Sequence, residues 1–310
     1  MRTVFIGSRG SQLALAQSKL VLSALETAVP GYEYSLKVIR TRGDERQNIG
    51  LGDFGSTGVF TKELENALLA GEIDLAVHSM KDLPTSGSDG LSVAAMLKRE
   101  DPRDVFVGRE VDSLKSVPEG SRLGTGSLRR IAQLRHLRPD LLFEPVRGNL
   151  NTRLRKLSEN NLHGLILALA GMKRLGWEKH VTQILSSDIC LPAAGQGALG
   201  VQIRSDDEEM AGLVYALDHS PTHTAVQVER AFLGRVEGGC HVPVGALAEV
   251  KGAEIHLRGV IASLDGSKLL RDEATASLLS GEDIGLKLGE KILARGGGAI
   301  LEEARCEMDG

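Results

Sequence analysis

Aromatic residues make up only 3% of the 310 residues, with a single tryptophan, so the row of stacking platforms that single-stranded nucleic acid needs is missing. Cysteine is scarcer still: Cys190, Cys240 and Cys306 are an odd number, widely spaced, with no CxxC pair and no Cys/His cluster at zinc spacing. That pattern excludes a disulfide framework and a structural zinc, and no metal site is expected. No apolar run reaches the roughly eighteen residues of a membrane helix, and the longest candidates, such as 164–171, are strand-sized. The first residues, Met1-Arg2-Thr3-Val4-Phe5-Ile6-Gly7, run straight into a strand-like segment without the layout of a signal peptide, which points to a cytoplasmic protein. Missing as well are the GxxxxGK(S/T) layout of a P-loop and a GxGxxG after the first strand, so nucleotide binding has little support.

Charge of one sign does not dominate either. The net charge is −4, which argues against a nucleic-acid or membrane-surface protein. Its distribution is uneven: residues 120–175 hold eleven Lys/Arg against three acids. A local basic field in an acidic chain suits a cleft for an anionic ligand better than a broad polyanion-binding face. For Arg135 and Arg138 a solvated helix face is the better expectation. Hydrophobic content of 42% and charged content of 25% are those of a soluble globular protein, and the length allows two or three domains.

Patterning along the chain predicts alternating strands and helices. Strands are expected at 3–7, 34–41, 73–79, 91–97, 104–108, 141–146, 164–171 and 199–204, with one more entering the turn at 124–126. Helices are expected at 11–28, 60–70, 206–218, 222–236 and 282–295, and a long glycine-rich loop at 42–58. From 246 onward, three alternating segments suit a small antiparallel sheet, 246–250, 254–262 and 268–277, with turns at Gly252 and Asp265-Gly266. Polar, proline-marked or glycine-rich crossings fall at 99–103 and 192–200. The expected division is therefore a discontinuous first domain of 1–98 and 199–218, a second of 103–192, and a third of 221–310. No long apolar seam is left over, so a monomer is expected.

Several strands end in residues suited to an anion. Ser8-Arg9-Gly10-Ser11 opens the first helix, where free backbone N–H groups and the positive end of the dipole are joined by a guanidinium. Gly124-Thr125-Gly126-Ser127-Leu128-Arg129-Arg130 is a strand, a turn and a helix start with Ser127 at the cap position. Cations there oppose the macrodipole, so Arg129 and Arg130 are expected to meet an anion. Arg147-Gly148-Asn149 with Arg153, and Met172-Lys173-Arg174, repeat the pattern. Arginine's planar fork binds carboxylates two-pronged, so the implied ligand carries several carboxylates. Ile73 to Pro84 is a buried strand ending in His78-Ser79-Met80-Lys81-Asp82, and Lys81 and Asp82 stand either at a ligand-facing strand end or on an ordinary surface turn.

The stretch Val236-Glu237-Gly238-Gly239-Cys240-His241-Val242-Pro243-Val244-Gly245 sets a thiol among glycines that permit positive φ and close approach. Two readings of Cys240 stand: a reactive or modified thiol, or a small buried side chain without chemistry.

Taken together, Ala76-Val77-His78-Ser79-Met80-Lys81-Asp82-Leu83-Pro84, the 124–130 motif, Arg147-Gly148-Asn149 with Thr152-Arg153, Ala193-Ala194-Gly195-Gln196-Gly197 and Glu237-Gly238-Gly239-Cys240 with Val242-Pro243 resemble the porphobilinogen deaminases (hydroxymethylbilane synthases). The resemblance runs in one order from Ile6 to the C-terminal region. It implies an α/β fold of two lobes like those of periplasmic binding proteins, with mixed five-stranded sheets and the active site between them, plus a smaller C-terminal α+β domain with a three-stranded antiparallel sheet. It also implies a transferase that polymerises four porphobilinogen molecules into hydroxymethylbilane in haem biosynthesis, using a dipyrromethane cofactor joined by a thioether to Cys240. Asp82 is implied as the catalytic acid/base that assists loss of ammonia. Lys81, Asp82, Thr125, Gly126, Ser127, Arg129, Arg130 and Gly171 are implied at the cofactor. Arg9, Ser11, Phe60, Arg147, Arg153, Arg174 and Gln196 are implied at the substrate. Two departures stand out: Thr57 occupies a place where the family often has lysine, and His241 replaces a common glutamine. The rival reading is a non-catalytic, two-lobed binding protein for a polycarboxylate; a nucleic-acid binder is a distant third.

Overall fold

The computed structural model of the chain describes residues 2–39, 61–236 and 242–309. The chain divides into two compact units, 1–100 with 198–223, and 101–197 with 224–310. The segment expected as the second domain, 103–192, and that expected as the third, from 224 of its 221–310, lie within the second unit, each with its own sheet.

The first unit is built on β1 (Thr3–Arg9), β2 (Glu33–Ile39), β3 (Leu75–Ser79), β4 (Leu91–Met96) and β10 (Leu199–Arg204), in the order β2-β1-β3-β10-β4. β1 runs parallel to β2 and β3, whereas β10 is antiparallel to both of its neighbours. Helix Gln12–Ala28 starts where the Ser11 Oγ accepts a hydrogen bond from the Ala14 N–H, and it buries Val21 and Leu25 against Val4, Ile6 and Val77. Helix Lys62–Leu69 presses Leu64 and Leu68 onto Ile73 and Ala76. Gly200 lets β10 pass the turn that follows β3: a Cβ there would lie 2.2 Å from the Met80 sulfur.

The second unit holds β5 (Asp104–Gly108), β6 (Arg122–Gly124), β7 (Leu142–Glu144), β8 (Gly164–Ala168) and β9 (Gln183–Ile184), in the order β7-β6-β8-β5-β9. β6 is parallel to β7 and β8, and β5 is antiparallel to β8 and β9. Phe106 is fully buried at the centre of this sheet, worth up to about 3 kcal/mol in transfer free energy. The same unit contains an antiparallel sheet of β11 (Val244–Lys251), β12 (Glu254–Ala262) and β13 (Leu269–Ser277), matching the alternation expected there. Phe232 of helix Ser220–Arg235 packs over it with residues of helices Asp283–Ile292 and Gly298–Asp309. The two sheets of the unit are tied by Arg135 Nη1 to the Leu264 carbonyl at 2.9 Å, His136 Nδ1 to the Gly266 carbonyl at 2.8 Å and Arg271 Nη1 to the Asp188 carbonyl at 2.6 Å.

Two local expectations are corrected. The run 164–171 is a strand only to Ala168; Leu169–Arg174 is helical, because an apolar run does not distinguish a buried strand from a buried helical turn. Arg135 and Arg138 do not lie on a solvated face. Arg138 pairs with Asp140 and donates to the carbonyls of Leu114 and Val117, and Arg135 also lies 5.8 Å from the centre of the Phe143 ring. The chain ends in helix Gly298–Asp309, anchored by the buried Ile300, Leu301 and Ala304.

Candidate active site

In the first unit, parallel pairing of β1 with β3 sends Arg9 and Ser11 off the sheet at the same end as Lys81 and Asp82. Met80–Asp82 forms a single tight helical turn: Met80 is buried beneath it, Lys81 is half-buried and Asp82 is exposed. Gln17, itself buried, donates its Nε2 to the Ser79 Oγ at 2.9 Å and so fixes the last residue of β3 before that turn. Ser11 spends its hydroxyl on capping the helix. Among the charged groups expected at a site, this half of the chain therefore brings together Arg9, Lys81 and Asp82.

His78 lies one residue before Ser79, buried on the opposite face of β3. Burial pushes its imidazole down to about 4; Glu65 and Asp82 pull the other way, while Arg9 adds to the lowering. The unfolded chain binds that proton first, with an ordinary pKa near 6.5. Stability is therefore full above about pH 6.5 and is lost as pH falls towards 4, by up to about 3 kcal/mol. In urea melts at several pH values, His78→Gln should flatten the curve in this window; parallel curves for variant and parent would exclude His78 as the source.

In the second unit, β6, β7 and β8 run parallel and each opens into a helix at its carboxyl end. The turn after β6 is held by the Thr125 Oγ1, which accepts from the Ser127 N–H at 3.3 Å; Thr125 is buried, Gly126 exposed. Ser127 occupies the cap position of helix Leu128–Leu137 without a side-chain cap bond. After β7, Gly148 has a φ of 104°, and a Cβ there would lie 2.8 Å from a Thr152 methyl, so glycine is required. This turn brings the Arg153 Nε to the Gly148 carbonyl at 2.9 Å, with Arg147 just before it. After β8, Gly171 is buried inside helix Leu169–Arg174, and the Arg174 Nη2 donates to the Gly197 carbonyl at 2.6 Å.

Arg129 and Arg130 do meet an anion, but the one present is the chain's own Asp104, which the sequence reading treated only as the start of a strand. Because β5 is antiparallel to β8, pairing Asp104 with Ala168, its first residue lies at the rim where the parallel strands end. The Arg129 Nη1 donates to Asp104 Oδ2 at 2.7 Å and to the Leu191 carbonyl at 2.6 Å. The Arg130 Nε and Nη2 clasp Asp104 Oδ1 at 3.0 and 2.7 Å, and Nη1 donates to the Ile166 carbonyl. Gln196, expected at the substrate, donates its Nε2 to Asp104 Oδ1 at 2.9 Å and to the Pro102 carbonyl at 2.6 Å. The side chains of Arg129, Arg130 and Asp104 are 5%, 6% and 0% exposed. Burial alone would raise the Asp104 pKa, but the two guanidiniums outweigh it and hold the carboxyl below the usual carboxylate range. Cys190, 3.4 Å from Asp104, is pushed by burial and by that carboxylate up to about 12, so it is a neutral thiol and not a second anion. Two buried cations thus face one buried carboxylate. A site with surplus positive charge and arginine forks fits a group carrying acetate and propionate carboxylates, as dipyrromethane does. Phe60 and Cys240, with Thr57 and His241, lie outside the described residues. Among the described residues no group of His, Cys, Asp and Glu is arranged to hold a metal ion, and no helix is long and apolar enough to cross a membrane.

The chain is similar throughout to known proteins. Residues 4–212 match the family model "Porphobilinogen deaminase, dipyromethane cofactor binding domain", and residues 223–294 match "Porphobilinogen deaminase, C-terminal domain". Porphobilinogen deaminase of Carboxydothermus hydrogenoformans is 48% identical over 308 residues, 99% of each chain. That of Pelotomaculum thermopropionicum is 49% identical over 306 residues, 99% of this chain and 98% of the relative. Among solved structures, the periplasmic VFT2 domain of Bordetella pertussis BvgS aligns with 69% of this chain and 86% of its own length at a TM-score of 0.44 and 12% identity, too distant to add to the assignment. The near-complete matches remove support for the rival non-catalytic binding module. With its matched cofactor-binding and C-terminal domains and its arginine-lined strand ends, the chain belongs to the porphobilinogen deaminase family.

Proposed function

We propose that this transferase joins four porphobilinogen molecules, releasing one ammonia from each, and frees the linear tetrapyrrole hydroxymethylbilane with water, acting as a cytoplasmic monomer. The observation that carries the reading is the surplus of buried guanidinium over carboxylate at Arg129, Arg130 and Asp104, in a chain whose residues 4–212 match a dipyrromethane-binding domain. Each porphobilinogen ring brings an acetate and a propionate. Lys81, Arg129 and Arg130, with Thr125, Gly126, Ser127 and Gly171, are assigned to the cofactor, and Arg9, Arg147, Arg153 and Arg174, with Ser11, Phe60 and Gln196, to the substrate.

When bound through a thioether to Cys240, the dipyrromethane cofactor supplies the pyrrole terminus to which the first substrate ring is joined. Asp82, exposed at the end of β3, handles the protons. Its carboxyl hydrogen-bonds the pyrrole N–H and the aminomethyl nitrogen of porphobilinogen, delivers a proton as that nitrogen leaves as ammonia, and takes up the proton lost when the ring regains aromaticity.

The test is the intact mass of freshly purified protein. It should exceed the chain mass by two pyrrole units, with Cys306→Ser keeping the increment and Cys240→Ser losing it together with turnover. An unmodified protein that is fully active would sink the proposal.

A further inference from the structure

The buried cluster around Asp104 has a charge balance that hydrogen bonding among the described residues does not close. Both Asp104 oxygens are used: Oδ2 takes Arg129, and Oδ1 takes Arg130 and Gln196. The other hydrogen-bond partners of the two guanidiniums among the described residues are neutral, the carbonyls of Leu191 and Ile166 and the thiol of Cys190. One buried carboxylate answers two buried cations, at the first turn of helix Leu128–Leu137, where the macrodipole adds further positive potential. A charge left unbalanced in such a site is expensive, so the arrangement favours the arrival of one more anion. The geometry also explains why the two arginines do not fan apart. Clasped from Nε and Nη2, Arg130 has one orientation, and Arg129 is pinned between Asp104 and the Leu191 carbonyl.

We propose that Asp104 is a positioning residue for carboxylate recognition: it fixes Arg129 and Arg130 in a single arrangement and cancels only one of their two charges, leaving one for a carboxylate of the bound pyrrole. This rests on the function proposed above. Asp104 touches no reacting atom. It sets the direction and net charge of the groups that do the holding, so its loss weakens binding in ground state and transition state alike, which raises KM and leaves kcat near its parent value. A purely structural role would act the other way, lowering the fraction of active protein, and hence apparent kcat, at constant KM.

The experiment compares parent, Asp104→Asn and Asp104→Glu. The parent must first show the two-pyrrole mass increment and make tetrapyrrole; its failure there would refute the proposed function, not the role of Asp104. With an active parent, Asp104→Asn should raise KM for porphobilinogen by about tenfold or more, as expected for a misplaced charge-assisted hydrogen bond, with kcat within about threefold. Rates are normalised to the fraction of freshly purified chain that carries the mass increment, which Asp104→Asn should also lower, so that incomplete loading does not enter kcat. Asp104→Glu keeps the charge but shifts the oxygens by one methylene, and should retain the parent's melting behaviour with an intermediate KM. Unchanged KM in either folded variant overturns the proposal. So does failure of both variants to fold, since Asp104 would then be structural only.

Discussion

Asp82→Ala is expected to lower kcat by about 10²–10⁴-fold, the usual contribution of a positioned proton donor and acceptor, while leaving the fold intact. The side chain is exposed at the end of a one-turn helix, and the turn itself is held by the buried Met80 and by the Gln17–Ser79 hydrogen bond one step earlier. Removing the carboxyl therefore removes chemistry and little packing; surface substitutions of this kind stay within about 0.5 kcal/mol. Steady-state rates and thermal melts on the same preparations separate the two effects. Asp82→Glu keeps a carboxyl with longer reach and should retain more activity than the alanine variant. Turnover of Asp82→Ala within about fivefold of the parent would refute the assigned role.

The largest expected loss of stability lies elsewhere, at Arg130→Leu. This substitution strips Asp104 of a two-pronged partner in a fully buried site and leaves the Ile166 carbonyl without its donor. Arg129 still answers the Asp104 charge, so the cost lies in the lost charge-assisted hydrogen bonds and the emptied buried volume, and about 3 kcal/mol is expected. Arg155→Leu is the control: its partner Glu159 is one helical turn away and both are largely exposed, so its loss should cost about 0.5 kcal/mol or less. Urea midpoints of the second unit measure both. The Asp104 carboxylate adds a pH signature: held below the usual carboxylate range when folded, it contributes stability that is present above about pH 4 and is lost as pH falls further. Equal midpoints for the two leucine variants would mean that the buried pair is not the anchor described.

Much of this was legible in the residues. The run from Ile73 to Ser79 is apolar and then abruptly polar, and that local contrast is enough to place Lys81 and Asp82 at a strand end. The alternation in 246–277 likewise reports one buried face per strand. Arg129 and Arg130 signalled their need for an anion because adjacent cations at a helix start are unfavourable without one. The identity of that anion was not legible. Asp104 precedes Arg129 by 25 positions and reaches it only because β5 runs against β8, and strand direction is not written in any local pattern. The signal available was a charged residue opening the apolar strand Asp104-Val105-Phe106-Val107. Gln196 and Thr125 illustrate the same limit: their residue types suggest ligand contacts, while both hydrogen-bond within the protein.

The place of β10 has a consequence for how the chain is made. β3 and β4, only a dozen residues apart in sequence, do not pair with one another; the strand between them comes from residues 199–204. The turn bearing Asp82 is backed by Gly200 and by the Ala198 carbonyl, which accepts from the Met80 N–H at 3.1 Å. During synthesis, the edges of β3 and β4 that β10 fills therefore stay open until more than a hundred further residues have been added, although β3 can already pair with β1. The turn bearing Asp82 is encoded early and assembled late, and an open sheet edge persists in the nascent first unit until β10 arrives.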